Sequence, residues 1–149
     1  MTRTSAQPAI RKAGLQDVDA LKSCIDRAYQ PVKSNLPDLP DVSAGIADDI
    51  RDHHVLVAEL GRRITGCAIF SLKGSRAHLM NIAVDPDVKG QGLGRCLIEH
   101  VERIARDGGA TEIHLATHVG MPGNVTLYSH LGWSETSITG NKILMKKDL

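Results

Sequence analysis

The sequence predicts a mixed α+β domain in which helices pack on one central sheet of about seven strands. Short apolar or alternating stretches bounded by Gly, Pro, Asn or Asp indicate strands. Longer stretches with apolar residues at every third or fourth position indicate amphipathic helices. The two kinds alternate without repeats, in the order β-α-α-β-β-β-α-β-α-β-β. At 149 residues, the whole chain, 1–149, is expected to form a single domain.

The first third of the chain contains a strand, a helix and a proline-rich segment. A strand over Ala9–Ala13 leads to Asp17, a candidate N-cap for the first helix. The apolar face of that helix consists of Val18, Leu21, Ile25 and Ala28. Prolines at positions 31, 37 and 40 predict that a loop follows, because proline disrupts a helix interior. A second, short helix is expected from Ser43 to about Arg51.

The remaining elements are marked by turn residues. Two strands flank a hairpin turn at Gly61-Arg62-Arg63, and a third strand covers Ala77–Val84. A helix after the glycines at 90–94 carries the apolar stripe Leu93, Leu97, Val101, Ile104 and Ala105. The strand "TEIHLATH" and a short helix beginning near Pro122 follow. Two final strands meet at Gly140-Asn141, a hairpin signal.

Composition excludes several classes of function. The formal net charge is +1, so no basic surplus indicates nucleic-acid binding. The apolar runs are far shorter than the roughly 20 residues that span a bilayer, and the N-terminus lacks a signal-peptide pattern. The three scattered cysteines are typical of a reducing compartment, and a cytoplasmic location is expected. None of the seven histidines has a metal-ligand spacing, and no metal is expected.

A glycine-rich turn at Gly90, Gly92 and Gly94 is the main functional signal. Glycines at a helix entrance let backbone N–H groups approach an anion, and the helix N-terminus adds unpaired donors. A Walker A loop is excluded because Arg95-Cys96 follows the last glycine. A Rossmann fingerprint is excluded by the every-second-residue glycine spacing and by the hairpin that precedes the turn. A plain glycine turn remains the alternative on this stretch alone.

Two segments together resemble the acyl-CoA-binding motifs of the GNAT superfamily of N-acyltransferases. The first is "NIAVDPDVKGQGLGRCLIEHVE", with Lys89 where the family usually has Gln or Arg. The second is "GNVTLYSHLGW", which supplies the family's Tyr-x-x-Leu-Gly-Trp pattern. The family Asn that often lies seven residues before the Tyr is Met121 here, and Asn124 lies four before it. The order of elements also matches the family fold over essentially the whole chain.

The resemblance implies how the cofactor, acetyl-CoA, binds. In the family, main-chain groups of the turn hold the pyrophosphate, and the end of the preceding strand pairs with the pantetheine arm like an added strand. The sheet splays between its fourth and fifth strands, is mostly antiparallel and is flanked by about four helices. The residues assigned here to the cofactor are Ile82, Ala83, Val84, Lys89, Gly90, Gln91, Gly92, Leu93, Gly94, Arg95, Asn124 and Tyr128.

The resemblance also implies the catalytic groups. Tyr128 matches the family tyrosine that protonates the departing sulfur. Because a tyrosine pKa of about 10 exceeds a thiol's roughly 8.5, we expect its help to be mostly a hydrogen bond to the sulfur. A backbone N–H in Asn81–Ala83 matches the family's oxyanion donor. A general base is not identified: His78, His118 and Glu59 are candidates, and an amine already neutral needs none. The segment Tyr29 to Val42 is either a solvated connector or an acceptor-binding loop. In the second case a cationic amine would meet Tyr29, Asn35, Asp38 and Asp41.

The predicted function is transfer of an acetyl group from acetyl-CoA to an amine, either a small molecule or a protein amine. The alternative is a non-catalytic domain that binds or senses acyl-CoA. Expected partners are acetyl-CoA and the amine, with neither nucleic acid nor membrane. The protein is expected to be a monomer or a homodimer, the final hairpin offering a sheet edge for pairing.

Overall fold

The computed structural model describes residues 8–33, 45–88 and 90–149. The strands are β1 (Ala9–Lys12), β2 (His54–Leu60), β3 (Arg63–Lys73), β4 (Arg76–Val84), β5 (Glu112–His118), β6 (Ser134–Thr139) and β7 (Lys142–Asp148). The α-helices are α1 (Val18–Lys33), α2 (Ile46–Asp52), α3 (Leu93–Asp107) and α4 (Pro122–His130). Short 3-10 turns cover Leu15–Asp17 and Pro86–Val88. The predicted element order and fold class are confirmed.

One seven-stranded sheet has the order β1-β2-β3-β4-β5-β7-β6. Every neighbouring pair is antiparallel except β4 and β5, which run parallel because α3 connects them. The β4–β5 pairing extends only from Arg76↔Glu112 to Leu79↔Leu115. Beyond that register β4 continues to Val84 and β5 to His118, so the sheet opens there as predicted.

Each face of the sheet has its own buried core. On one face α3 and α4 pack on the sheet, with Leu97, Ile98, Val101, Phe70 and Tyr128 in a common cluster. On the other face, α1 and α2 contribute Leu21, Cys24, Ile25 and Ile46. The predicted apolar stripes of α1 and α3 therefore both point inwards.

Close packing of α3 against β3 depends on Gly66. A Cβ at this position would lie 3.1 Å from the Ala83 carbonyl oxygen and 3.1 Å from side-chain carbons of Leu93 and Leu97. These distances are shorter than ordinary van der Waals contacts. A larger residue at position 66 would therefore require the Ala83 main chain or the Leu93 and Leu97 side chains to shift by a few tenths of an ångström.

The structure corrects two details of the first helix. The helix α1 continues through Pro31 to Lys33, so the prediction that this proline begins a loop is wrong. Pro31 cannot donate the intrahelical hydrogen bond to the carbonyl four residues earlier, and only two further residues of the helix follow it. Asp17 does not cap α1: its carboxylate accepts hydrogen bonds from the Gly14 N–H (2.8 Å) and from Arg11 (2.9 and 3.0 Å).

The second helix begins at Ile46, with Gly45 at its N-cap in the left-handed region. The predicted start at Ser43, Pro37 and Pro40, and the possible acceptor-binding residues Asn35, Asp38 and Asp41 all lie outside the described residues. Within the described part of the chain, no helix is long and apolar enough to cross a membrane.

Candidate functional site

The opening of the sheet begins at a bulge in β4. Phe70 pairs with Leu79 and Ile69 with Asn81, so Met80 is an extra residue on β4. A bulge bends its strand and increases the local twist. The bulge lies one residue beyond the last β4–β5 pair at Leu79. It therefore accounts for the divergence of β4 from β5 and leaves main-chain groups of β4 without a strand partner on that side.

The glycine turn leads from the end of β4 into α3. Gly90 has φ 82° and Gly92, the N-cap of α3, has φ 77°, a region that other residues rarely adopt. Among the described residues no side chain caps the helix, and a Cβ built on Gly90 or Gly92 would meet nothing within 4 Å. The first intrahelical bond runs from Cys96 N–H to Gly92 O (3.0 Å). The first turn of α3 thus presents unpaired N–H groups to an open space.

A groove of about 330 Å³ lies beside this turn, between the end of β4 and α4. Its lining includes most of the residues that the sequence assigned to the cofactor, namely Ile82, Ala83, Val84, Gly90, Gly92, Leu93, Gly94, Arg95 and Asn124. Gln91 does not line the groove, and Lys89 lies outside the described residues. The sequence assignment and the groove therefore coincide except at these positions and at Tyr128.

A larger cleft of about 490 Å³ occupies the opening between β4 and β5. It is lined by Met80 and Asn81 on β4, residues 115–118 on β5, Tyr128 on α4, and Thr139, Asn141 and Lys142 at the β6–β7 turn. The groove and the cleft share Tyr29, Ile82, Met121 and Asn124. The two spaces therefore adjoin, which gives a continuous path from the glycine turn to Tyr128.

Tyr128 lies at the inner wall of the cleft and is only 4% exposed. Its ring packs against Trp133 with the centroids 5.5 Å apart. Burial, with a smaller contribution from Tyr29, raises the pKa of Tyr128 well above its ordinary value. The hydroxyl has no hydrogen-bond partner among the described residues, so it is a protonated donor available to a molecule in the cleft.

Tyr29 also lines the cleft and lies within α1, not in a loop. Its hydroxyl donates to Asn81 Oδ1 at 2.7 Å. Burial raises the pKa of Tyr29 to about 12, with a smaller contribution from Cys67. Asn81 Nδ2 is buried and has no hydrogen-bond partner among the residues that the structure describes. This bond ties α1 to β4 next to the bulge.

Asn124 lies where the groove meets the cleft. Its amide Nδ2 is 3.4 Å from Thr117 Oγ1 on β5 and 3.9 Å from Met121 Sδ. Met121, which replaces the asparagine expected from the resemblance, lines both spaces as well. The amide at the junction is therefore that of Asn124, which lies about one helical turn closer to Tyr128 than position 121 does.

The three candidate bases differ in where they lie and in what they bind. Glu59 is bound to Arg11 at 3.2 Å, and neither Glu59 nor the exposed His78 lines the cleft. His118 does line it, but its Nδ1 accepts the Gly120 N–H at 2.9 Å. In the neutral ring the proton is then on Nε2, which makes that nitrogen a donor. None of the three thus combines a place in the cleft with an unused acceptor nitrogen or oxygen in this geometry.

Sequence reasoning missed the wall formed by Thr139, Asn141 and Lys142. The hairpin turn at Gly140-Asn141 was predicted, but hairpin signals are local and do not say which end of the sheet the turn reaches. The order β5-β7-β6 places Lys142 opposite His118 and so at the cleft.

Comparison with known proteins shows the family to which this fold and site belong. The chain matches the acetyltransferase (GNAT) family over residues 21–133. It belongs to that family. The predicted resemblance is thereby confirmed. Within the described residues, no group of three His, Cys, Asp or Glu side chains clusters as metal ligands.

Relatives in the GNAT family share part of the sequence. The chain is 38% identical over 80 residues to the [ribosomal protein bS18]-alanine N-acetyltransferase of Escherichia coli strain K12, covering 53% of each protein. It is 30% identical over 105 residues to rat N-acetyltransferase 8B, covering 66% of this chain and 47% of that protein. The match thus spans about half the length of these curated relatives.

Solved structures share the fold over nearly the whole chain. The PaiA N-acetyltransferase of Thermoplasma acidophilum, in complex with coenzyme A, superimposes with a TM-score of 0.86 at 16% identity, covering 95% of this chain and 99% of that one. The ribosomal-protein-S18-alanine N-acetyltransferase of E. coli gives 0.80 at 24% identity, covering 95% and 93%. At these identities the likeness is one of fold.

Proposed function

We propose that this protein transfers an acetyl group from acetyl-CoA to an amine by direct attack on the thioester. The observation that carries the proposal is the continuous path from the glycine turn, through the open edge of β4, to the buried hydroxyl of Tyr128. Along this path, the groove and cleft offer first an anion site, then a strand edge and finally a proton donor. Family membership supports the same chemistry.

The residues of the groove suit the phosphates and pantetheine of CoA. Gly90 and Gly92 leave open space where a side chain would otherwise stand, and the start of α3 offers N–H groups and the positive end of a helix dipole. Ile82, Ala83 and Val84 lie past the last β4–β5 pair, so their main chain is available to an extended ligand. Arg95 lines the same groove and adds a cation.

Acyl transfer needs donors where negative charge develops, and acetyl-CoA supplies the activated acetyl group. Next to the bulge at Met80, the main chain of Asn81–Ala83 offers the N–H proposed for the carbonyl oxygen. Tyr128 is proposed to donate to the sulfur as it leaves. Since burial raises its pKa, Tyr128 helps mainly by hydrogen bonding to the sulfur rather than by complete proton transfer.

The acceptor amine is proposed to arrive already neutral. The cleft has no carboxylate among its described lining residues, and the Nδ1 of His118 is already engaged. An α-amino group, with a pKa of about 7.7–8.0, is roughly a quarter neutral near pH 7.4, whereas a lysine amine at about 10.4 is roughly 0.1% neutral. An α-amine is therefore the favoured acceptor, in line with the E. coli relative's name, which specifies a protein alanine.

Ligand binding and turnover test the proposal in two steps. Acetyl-CoA at about 100 times its Kd should stabilise the protein by roughly 2.7 kcal/mol. That free energy corresponds to a rise in Tm of roughly 5–10 °C, with ATP and NAD as controls. The absence of a shift at saturating acetyl-CoA would refute cofactor binding.

Turnover separates the enzyme from a domain that only binds acyl-CoA. With a panel of amines, Tyr128→Phe should lower kcat by about 10²-fold while leaving the acetyl-CoA shift in place. The activity should rise with pH and level off near the acceptor's own pKa, whichever acceptor is used. A plateau at one fixed pH for acceptors of different pKa would instead indicate a protein base.

A further inference from the structure

The acceptor side of the cleft has an uneven charge. Its described lining residues include one side chain with a formal charge, Lys142, and neither aspartate nor glutamate. The other polar groups are the amides of Asn81, Asn124 and Asn141, hydroxyls of threonine and tyrosine, and the ring of His118. Among these described residues, a cationic acceptor would thus meet a cation and no carboxylate.

Lys142 lies on the wall of the cleft that the β6–β7 turn forms. It is the first residue of β7, is exposed, and pairs with His118 on β5 and Thr139 on β6. No carboxylate of the described residues lies within ion-pair distance of its ammonium. Lys147, on the same strand, is by contrast engaged at 2.7 Å by both the buried carboxylate of Glu102 and the carbonyl of Leu131. The charge of Lys147 is structural, whereas that of Lys142 is available to a ligand.

We propose that the acceptor amine belongs to a molecule that also carries a carboxylate or a phosphate, and that Lys142 binds this anionic group. The inference rests on the proposed acetyltransferase activity and specifies its substrate class. It opposes the expectation of a cationic amine that arose from the segment after Tyr29. Lys142 is then a specificity-determining residue that lies apart from the acetyl-transfer groups.

Matched acceptors test the proposal, because they keep the amine constant and change only the distant charge. One set is the dipeptide amides Ala-Glu-NH2, Ala-Gln-NH2 and Ala-Lys-NH2, and the other is O-phospho-L-serinamide with L-serinamide. For each set, kcat and KM are measured for wild type, Lys142→Glu and the control Lys146→Glu. Lys146 lies on the same strand but does not line the cleft.

In wild type, the anionic member of at least one set should have the lowest KM. A low KM for Ala-Glu-NH2 would identify the anionic group as a carboxylate, and a low KM for O-phospho-L-serinamide would identify it as a phosphate. Lys142→Glu should lower kcat/KM for the anionic member relative to the neutral one by about 5- to 10-fold, through KM. Lys146→Glu should leave this ratio unchanged. Comparing ratios removes any effect of small differences in amine pKa.

A preference for the neutral or lysine-containing acceptor would overturn the inference, as would an equal loss in both charge-reversal variants. If no acceptor is acetylated while acetyl-CoA still raises the Tm, the proposed enzymatic function fails and this inference fails with it. Acetylation without charge discrimination refutes the inference alone.

Discussion

Two glycines of this chain have nearly the same backbone but different surroundings, which permits a controlled test of the cofactor site. Gly45 (φ 79°, ψ 13°) and Gly92 (φ 77°, ψ 13°) are the N-caps of α2 and α3. A Cβ on either meets nothing within 4 Å. Alanine in the left-handed region costs about 1 kcal/mol, and so Gly45→Ala and Gly92→Ala should each lower the Tm by about 2–4 °C.

The two variants should differ in ligand affinity. Gly92 lines the groove proposed for CoA, and Gly45 lines neither the groove nor the cleft. If the added methyl group displaces the pyrophosphate from one N–H of α3, one hydrogen bond to a charged group is lost, about 1.5–3 kcal/mol. The Kd for CoA should then rise about 10- to 100-fold in Gly92→Ala. It should remain within about 2-fold of wild type in Gly45→Ala, since this glycine lies outside the groove.

Isothermal titration with CoA and urea denaturation without ligand measure the two quantities separately. Equal loss of stability with a selective loss of affinity in Gly92→Ala supports the anion site. Equal affinities in the two variants would refute the reasoning, because the backbone change is the same and only the location differs.

Two further predictions concern packing and pH. Gly66→Ala should lower the free energy of unfolding by about 1–3 kcal/mol, because its methyl group would collide with Leu97. In the same urea titration, Gly123→Ala should be neutral or stabilising, because Gly123 lies in the first turn of α4 with open space around it. The Arg11 guanidinium, with the Gly14 N–H, holds the pKa of Asp17 below its ordinary value. The ion pair therefore contributes stability at neutral pH that disappears as the pH falls below about 4 and through the lowered pKa. Asp17→Asn should lose about 2 kcal/mol at pH 7, and its deficit should narrow towards pH 3; a deficit independent of pH would contradict the ion-pair explanation.

The parts of the molecule that the sequence predicted are those specified by nearby residues. Apolar periodicity indicated α3, and glycines at alternate positions indicated the turn before it, since both signals lie within a few residues. The partner of Asp17 was missed because Arg11 lies on the preceding strand, and the local cap rule favoured the helix instead. The continuation of α1 through Pro31 shows that a proline in the last turn is a weak stop signal. Two expectations stay predictions: that the chain forms a single domain, and that the protein is a monomer or a homodimer.

The two halves of the site differ in how strongly the sequence encodes them, and the reason is physical. The groove uses main-chain N–H groups and an unpaired strand edge, so it requires glycines at fixed positions within one continuous stretch. The acceptor cleft uses side chains from α1, β4, β5 and the β6–β7 turn, which meet only when the sheet has formed. A substitution at Lys142 would leave the main-chain groups of the groove in place. The acceptor preference is therefore free to change among proteins with the same glycine turn, and it has to be determined from the walls of the cleft.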